Sequence, residues 1–461
     1  MPKMSPRDFD CVVVGGGPAG SVAGAFLARA GLRTLIVEKE RFPRFHIGES
    51  LLPAGNAILR EIGAWEKIEQ AGFMPKFGAE FHVGDRPAVF KRIQFRDGML
   101  PDCDSTFQVE RSRFDELLLR HAESLGCEVR EETRCTAARE LDGGVGWEVT
   151  VEPSTGGVGR AHSLRTGWIL DASGRDNVFN HPLKSERVDP GGNLPKRAAI
   201  YAHFRHVARE PGELGGNILI VRHADGWFWL IPLDAERTSV GLVVSLERMK
   251  TSGLKPAELF DKVVAESPKL AQLMAGAEPA SGFYVTADFT YRAKEFAAPR
   301  MLLVGDAAGF FDPIFSSGVF LALHSARLAA AAVVRADKKG RALTSAAQRR
   351  YSRAAGRAGS VFQKLILAFY DNASYSVFVD RNPPLGMGRA VNSVVAGNTR
   401  LPWRAWWRFQ AFLLVCRLQR YFPIVPAIPL EKHRPASARR DVAVEMPDPA
   451  DVGAEQMATR P

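Results

Sequence analysis

The 461-residue chain has 46% hydrophobic residues, 24% charged residues and a formal net charge of +10, the profile of an ordinary globular protein with room for two or three packed units. Five scattered cysteines without a C-x-x-C pair argue against a disulfide framework and predict reduced thiols in a cytoplasmic protein. No apolar run is long enough to span a bilayer, no signal-peptide region precedes the first strand, and the histidines show no metal-ligand spacing beyond His203 and His206, which are read as part of a strand-rich segment.

From Asp10 to Glu38 the pattern is strand, turn, helix, strand. The apolar run Cys11 to Val14 meets Gly15-x-Gly17-x-x-Gly20, and Val22, Ala23, Phe26, Leu27 and Ala30 then recur at helical spacing. A second apolar strand, Thr34 to Val37, ends in Glu38. Gly15 permits the tight turn, Gly17 lets a pyrophosphate approach the backbone, and Gly20 lets helix and strand pack closely. The helix N-terminus offers unpaired N–H groups and a positive dipole end to the phosphates. Glu38 follows at close to the roughly 20 residues expected of an acid that binds an adenosine ribose.

The loop Arg41 to Ser50 is rich in function-capable groups, and Ser50 or a neighbour is expected to open a helix through Ile58, Leu59 and Ile62. Phe73 to Phe95 reads as strands and turns, and Phe114, Leu117, Leu118 and Ala122 mark an amphipathic helix closed by Gly126. A strand at Trp168-Ile169-Leu170 ends in Asp171-Ala172-Ser173-Gly174. Short strands follow at Ile218 to Val221, Trp227 to Pro232 and Ser239 to Val244, with one helical insert at about Pro256 to Met274. Met301 to Val304 is an apolar strand ending in Gly305-Asp306, followed by a loop and an alanine-rich helix around Gly318 to Arg335. Helices are expected from Gln348 to Phe422, and a disordered tail thereafter.

Three apolar strands thus end at Gly15, Asp171 and Gly305-Asp306, and ligands of open α/β sheets sit beyond strand carboxyl ends. These fingerprints resemble those of the FAD-dependent monooxygenase superfamily over about Phe9 to Ala332. The resemblance implies an α/β fold: a hydroxybenzoate-hydroxylase-like FAD-binding βαβ domain (1–75, 105–190 and 285–340), an inserted, mostly antiparallel β-sheet substrate domain (76–104 and 191–284), a C-terminal helical region (341–430) and a tail (431–461). It places Gly15, Gly17, Ala19, Gly20, Ser50, Pro313 and Gly318 against the cofactor. Glu38 and Arg111 take the adenosine and ribose-phosphate end, and Asp306 the ribityl-pyrophosphate.

Within that superfamily, three stretches resemble the flavin-dependent halogenases of pyrrole and phenol type. Trp227-Phe228-Trp229-Leu230-Ile231-Pro232 fits a Trp-x-Trp-x-Ile-Pro motif that lies beside the flavin and screens it; read alone, two such aromatics are simply core. Lys76, among Phe73, Met74 and Phe77, aligns with the lysine that family members use against hypohalous acid, although a lone lysine is usually a surface residue. Phe311 to Gly318 resembles the halide and flavin loop, with Ser317 and Gly318 at the positions whose N–H groups hold chloride or bromide. Indole-type members carry a glutamate where this chain has Phe315, which argues against a tryptophan-like substrate. The implied reaction is electrophilic halogenation of a small electron-rich aromatic, free or bound to a carrier protein, by FAD that a separate flavin reductase has reduced. The rival readings are an FAD-dependent monooxygenase, a geranylgeranyl-reductase-like oxidoreductase and a non-catalytic flavoprotein. No metal and no nucleic-acid partner are expected.

The positive charge is concentrated late. Arg400, Arg404, Arg408, Arg417 and Arg420 alternate with Trp403, Trp406 and Trp407 at roughly helical spacing without a nearby acid. A solvated helix closing the substrate pocket and a docking face for an acidic carrier domain are both consistent with this pattern; a peripheral membrane contact or another subunit is the less favoured reading.

Overall fold

Phe9–Val14 lies at the centre of the first sheet because its last four residues are apolar in succession, as a parallel strand covered on both faces requires. Cys11 and Val13 face the core under the first helix, Pro18–Arg29, and Val12 and Val14 face the opposite layer. The computed structural model describes residues 7–154, 160–179, 186–189, 196–287, 290–380, 383–428 and 430. The tail expected at 431–461 lies outside them.

The parallel strands run in the order Met301–Leu303, His162–Asp171, Phe9–Val14, Thr34–Val37, Glu128–Arg130. The register pairs Val14 with both Val37 and Asp171, and Asp171 with Leu303. The three returning segments therefore emerge side by side along one edge. A hairpin, Thr133–Glu140 with Trp147–Pro153, continues antiparallel beside His162–Asp171.

The second eight-stranded sheet includes Arg197–Arg205, Arg237–Ser245, Gly226–Pro232, Ile218–His223, Gly78–Val83 and Arg86–Gln94 in that order, antiparallel except where Ile218–His223 meets Gly78–Val83. Alternation sorts its side chains: Trp227, Trp229 and Phe81 point to one core, Phe228 and Leu230 to the other. The first core is completed by helices Ser345–Tyr370, Asn372–Val379, Met387–Val395 and Trp403–Leu418. Ser317–Asp337 is the one helix, among the described residues, long and apolar enough to cross a membrane; it is mostly buried and packs against Pro18–Arg29.

Three local expectations need correction. Ser50 does not open a helix: it pairs with Gln108 in an isolated bridge, and the chain passes through a 3-10 turn, Pro53–Gly55, before the helix Asn56–Ile62 begins. The helical insert is broken at Pro268, where Ser267 accepts from the Leu270 N–H and starts a second helix. Arg420 does have an acid, Asp371, at 3.4 Å.

A β-carbon at Gly20 would overlap the Gly15 carbonyl oxygen, and Gly15 itself has φ +104° with the Ala172 carbonyl in the space a side chain would fill. Gly20→Ala is expected to cost at least about 1–3 kcal/mol through forced backbone displacement. Thermal denaturation would show it as a lowered Tm, and an unchanged Tm would refute the packing role.

Candidate functional site

A cavity of about 480 Å3 opens along the edge where the three strands end. Gly15, Gly17, Ala19 and Glu38 line one end, and Trp227, Trp229, Pro313 and Gly318 the other. Ser50, Arg111 and Asp306 lie between. Three residues singled out from the sequence do not line it. Gly20 supports the turn from behind, Ser317 is buried beside Ser316, which does line it, and Lys76 sits behind Ser50.

The glycine-rich end is held by Glu38. One carboxylate oxygen accepts the Gly16 N–H at 2.6 Å and the other the Glu40 N–H at 2.9 Å. Arg111 is fixed by a two-pronged pair with Asp115, at 2.7 and 2.8 Å, and donates to the Ile47 carbonyl at 2.7 Å. Burial acts to raise the Asp115 carboxyl, but Arg111, with Arg44 at 3.3 Å, brings it below its ordinary value. Asp171 faces its own loop rather than the cavity: it accepts from Ser173 and from the Phe179 N–H, so that Ala172, Ser173 and Gly174 line the wall. Burial pushes the Asp306 carboxyl up to about 6, with Arg111 pulling the other way.

At the other end Trp227 and Trp229 lie with ring centroids 5.9 Å apart. The Trp229 ring covers Gly241 on the neighbouring strand, where any β-carbon would overlap it. The Trp227 indole donates to the Tyr370 hydroxyl at 2.7 Å, and that hydroxyl donates to Asp312 at 2.7 Å. Asp312 in turn accepts from the Ile314 N–H, inside the loop that carries Pro313 and Ser316. Ser316 has φ +55° and precedes the helix Ser317–Asp337, whose first N–H groups receive no side-chain cap. Phe315 packs away from the cavity among Phe81, Phe369 and Phe378.

Sequence reasoning gave no role to four of these groups. Glu49 bonds to His203 at 2.9 Å through one oxygen, and its other oxygen is buried without a partner. The density of ionisable and polar groups in the loop Arg41 to Ser50 was the available signal. Tyr370 and Asp312 had none, since 58 residues separate them in the chain.

The arrangement fits FAD: a turn closed to side chains at Gly15 and Gly20, and open at Gly17, leads into a helix N-terminus, an acid closes one end, and the cavity wall also carries an orphaned buried carboxylate oxygen and two tryptophans. A family model described as an FAD binding domain matches residues 8–357. The chain is 35% identical over 356 residues to the 1H-pyrrole-2-carbonyl-[peptidyl-carrier protein] chlorinase of Pseudomonas fluorescens, covering 73% of this chain and 78% of that protein. It is 35% identical to the tryptophan 2-halogenase of Chondromyces crocatus over 71% of this chain and 61% of the other. The solved structure of the myxobacterial chondrochloren halogenase superposes with a TM-score of 0.71 and 31% identity, covering 92% and 98% of the two chains. The chain belongs to the flavin-dependent halogenases.

In this halogenase the Trp227–Tyr370–Asp312 chain ties the tryptophan wall to the loop leading into Ser317–Asp337. Removing the hydroxyl leaves a buried indole N–H and a buried carboxylate without that partner, each costing about 1–3 kcal/mol. Tyr370→Phe is therefore expected to lower Tm and to alter the Trp227 fluorescence. Wild-type values of both would show that the chain carries no structural load.

Proposed function

We propose that this halogenase places chlorine or bromine on an electron-rich ring, a pyrrole or a phenol, through Lys76. The position of that lysine carries the reading. It is 1% exposed, and its Nζ donates to Ser50 Oγ and to the Leu51 carbonyl, both at 2.8 Å, with the Phe95 ring 5.3 Å away. Ser50 lines the cavity, so the amine stands one hydrogen bond behind the cavity wall. Burial lowers its pKa to about 7, which leaves a substantial share of neutral amine at neutral pH.

Bound FAD, once reduced and exposed to oxygen, supplies the oxidising equivalent that turns the halide into hypohalous acid. The Gly15–Gly20 turn, with Glu38 and Arg111, would hold the adenosine and pyrophosphate end, and Ser50, Asp306, Pro313 and Gly318 the remainder. The Ser317 and Gly318 N–H groups, at the start of a 21-residue helix, suit an anion, and so hold the halide. Trp227 and Trp229 keep the aromatic substrate off the cofactor. The hypohalous acid passes Ser50 and meets the Lys76 amine, which either forms the haloamine with release of water or holds the acid by hydrogen bond; the ring carbon then takes the halogen and gives up its proton, leaving the amine, or water, behind.

Phe315 supports a ring that stabilises its own addition cation, because no carboxylate stands at that position. The carrier-bound pyrrole of the Pseudomonas relative makes a tethered substrate the first to test. Electrons would come from a separate reductase, since the sequence carries no second nucleotide fingerprint. Mass spectrometry of products from free and carrier-bound pyrroles, phenols and an indole, with chloride and with bromide, tests the substrate class. Halogenation of the indole alone would overturn it.

Lys76→Ala should abolish halogenated product while flavin oxidation continues. If the neutral amine takes up the halogen, product per flavin oxidised rises with pH through about 7 in the wild type. Stability gives an independent check. The folded pKa lies below the ordinary 10.5, so between these values the unfolded chain binds more protons and stability rises with pH. Lys76→Met should flatten that rise; a variant that keeps both the rise and the product would remove Lys76 from the mechanism.

A further inference from the structure

The helix Trp403–Leu418 seats one face and bares the other. At roughly 100° per residue, Ala405, Phe409, Phe412 and Cys416 fall on one side, and all four are buried. Trp403, Trp406, Leu414 and Leu418 fall within an arc of about 120° on the opposite side, and all four are exposed. Trp403 is 71% exposed and stacks on Trp406 at 5.2 Å, so that two indoles present a joint apolar surface. The stripe continues past the helix end. Buried Gln419 accepts the Ile424 and Val425 N–H groups and donates to the Val425 carbonyl, which holds the chain in a tight bend. From that bend Tyr421, Phe422 and Ile424 protrude, at 79%, 64% and 51% exposure. Seven large apolar side chains thus stand in solvent within 22 residues, where soluble surfaces ordinarily scatter them singly.

The chain segment that carries these side chains has charge of one sign. Six arginines and no acidic residue occur between Arg389 and Leu430. Arg408 is occupied with the Leu385 and Arg404 carbonyls, and Arg420 with Asp371. Arg400, Arg404 and Arg417 are exposed beside the apolar stripe.

We infer that this face docks on an anionic lipid surface. A second copy of the chain is disfavoured because a two-fold contact would bring the same arginines against each other. A bilayer interface accepts this composition without matching pockets. Tryptophan and tyrosine settle at headgroup level, arginine stems lie along apolar surface with the guanidinium at the phosphates, and irregularly protruding side chains insert into acyl chains. The balance therefore moves from the acidic carrier favoured by sequence to the membrane, because a carrier requires the arginines but not seven bared hydrophobic side chains. The inference is independent of the substrate reading.

The test is co-sedimentation of the full FAD-loaded chain with vesicles of phosphatidylcholine alone and of phosphatidylcholine with phosphatidylglycerol. Binding is expected to the mixed vesicles only, and to weaken with salt. Arg404→Glu with Arg417→Glu should weaken it by at least about tenfold, since each basic residue at such a surface contributes about tenfold or somewhat less and reversal also adds repulsion. Trp403→Ser with Tyr421→Ser should also weaken it, with Tm and FAD content unchanged. Two outcomes overturn the inference: no binding to mixed vesicles, which points to the carrier if a carrier protein binds and loses affinity on arginine reversal, or binding that both double variants leave intact.

Discussion

The site depends on a contact that is possible only without a side chain. Gly20 lies against the Gly15 carbonyl, and Gly15 in turn lies against the Ala172 carbonyl of the neighbouring returning loop. Helix Pro18–Arg29, strand Phe9–Val14 and the loop after His162–Asp171 are therefore clasped through backbone at one end of the cavity. Gly305 continues the pattern, with φ +62° and the space above it taken by Ala19 and Ala322. A methyl group at the innermost of these positions would part the elements whose ends form the cavity.

At the far end the design is opposite, since bulk rather than its absence shapes the wall. Trp229 needs Gly241 beneath it, and Phe311 needs Gly359 on the helix Ser345–Tyr370, so each large ring is matched to a missing side chain on its neighbour. The polar groups among these rings are few and nearly all paired, as buried polar groups must be. Lys76 differs from them in kind, having two neutral acceptors and, among the described residues, no counter-charge. Arg111, equally buried, has Asp115 and keeps its charge. Two cations at similar depth are thus pushed in opposite directions, Lys76 down by burial alone and Arg111, against its burial, up by Asp115, on top of the guanidinium's greater intrinsic basicity.

Much of this was legible in the sequence where a local pattern dictates a local structure. The Gly15–Gly20 turn, the apolar strands ending at Asp171 and Gly305, and the alternation that sends Trp227 and Trp229 to one face all follow from neighbours in the chain. Lys76 stood out only through its apolar neighbours and the family resemblance. What stayed hidden was long-range pairing. Glu49 meets His203 and Tyr370 meets Asp312 across separations that no periodicity encodes. Ser50 was misjudged as a helix start because Pro53 favours a tight 3-10 turn first, and because its pairing to Gln108 is set by a distant strand. The tryptophans of the last helix were visible as a pattern, but which side they faced depended on the core that Phe409 and Phe412 fill.

Tyr370 is the last residue of its helix, and Asp371 begins the next by accepting from Ser374. Tyr370 holds the tryptophan wall of the cavity through Trp227 and Asp312, whereas Asp371 pairs with Arg420 at the base of the bared C-terminal bend. One peptide unit therefore joins the two. A load applied at that outer surface meets no slack loop on its way inward: the first covalent step from the Arg420 anchor is the residue that positions the tryptophan. The surface bend and the interior wall of this enzyme thus meet at neighbouring residues, beside the packing of Phe409 and Phe412 into the same core.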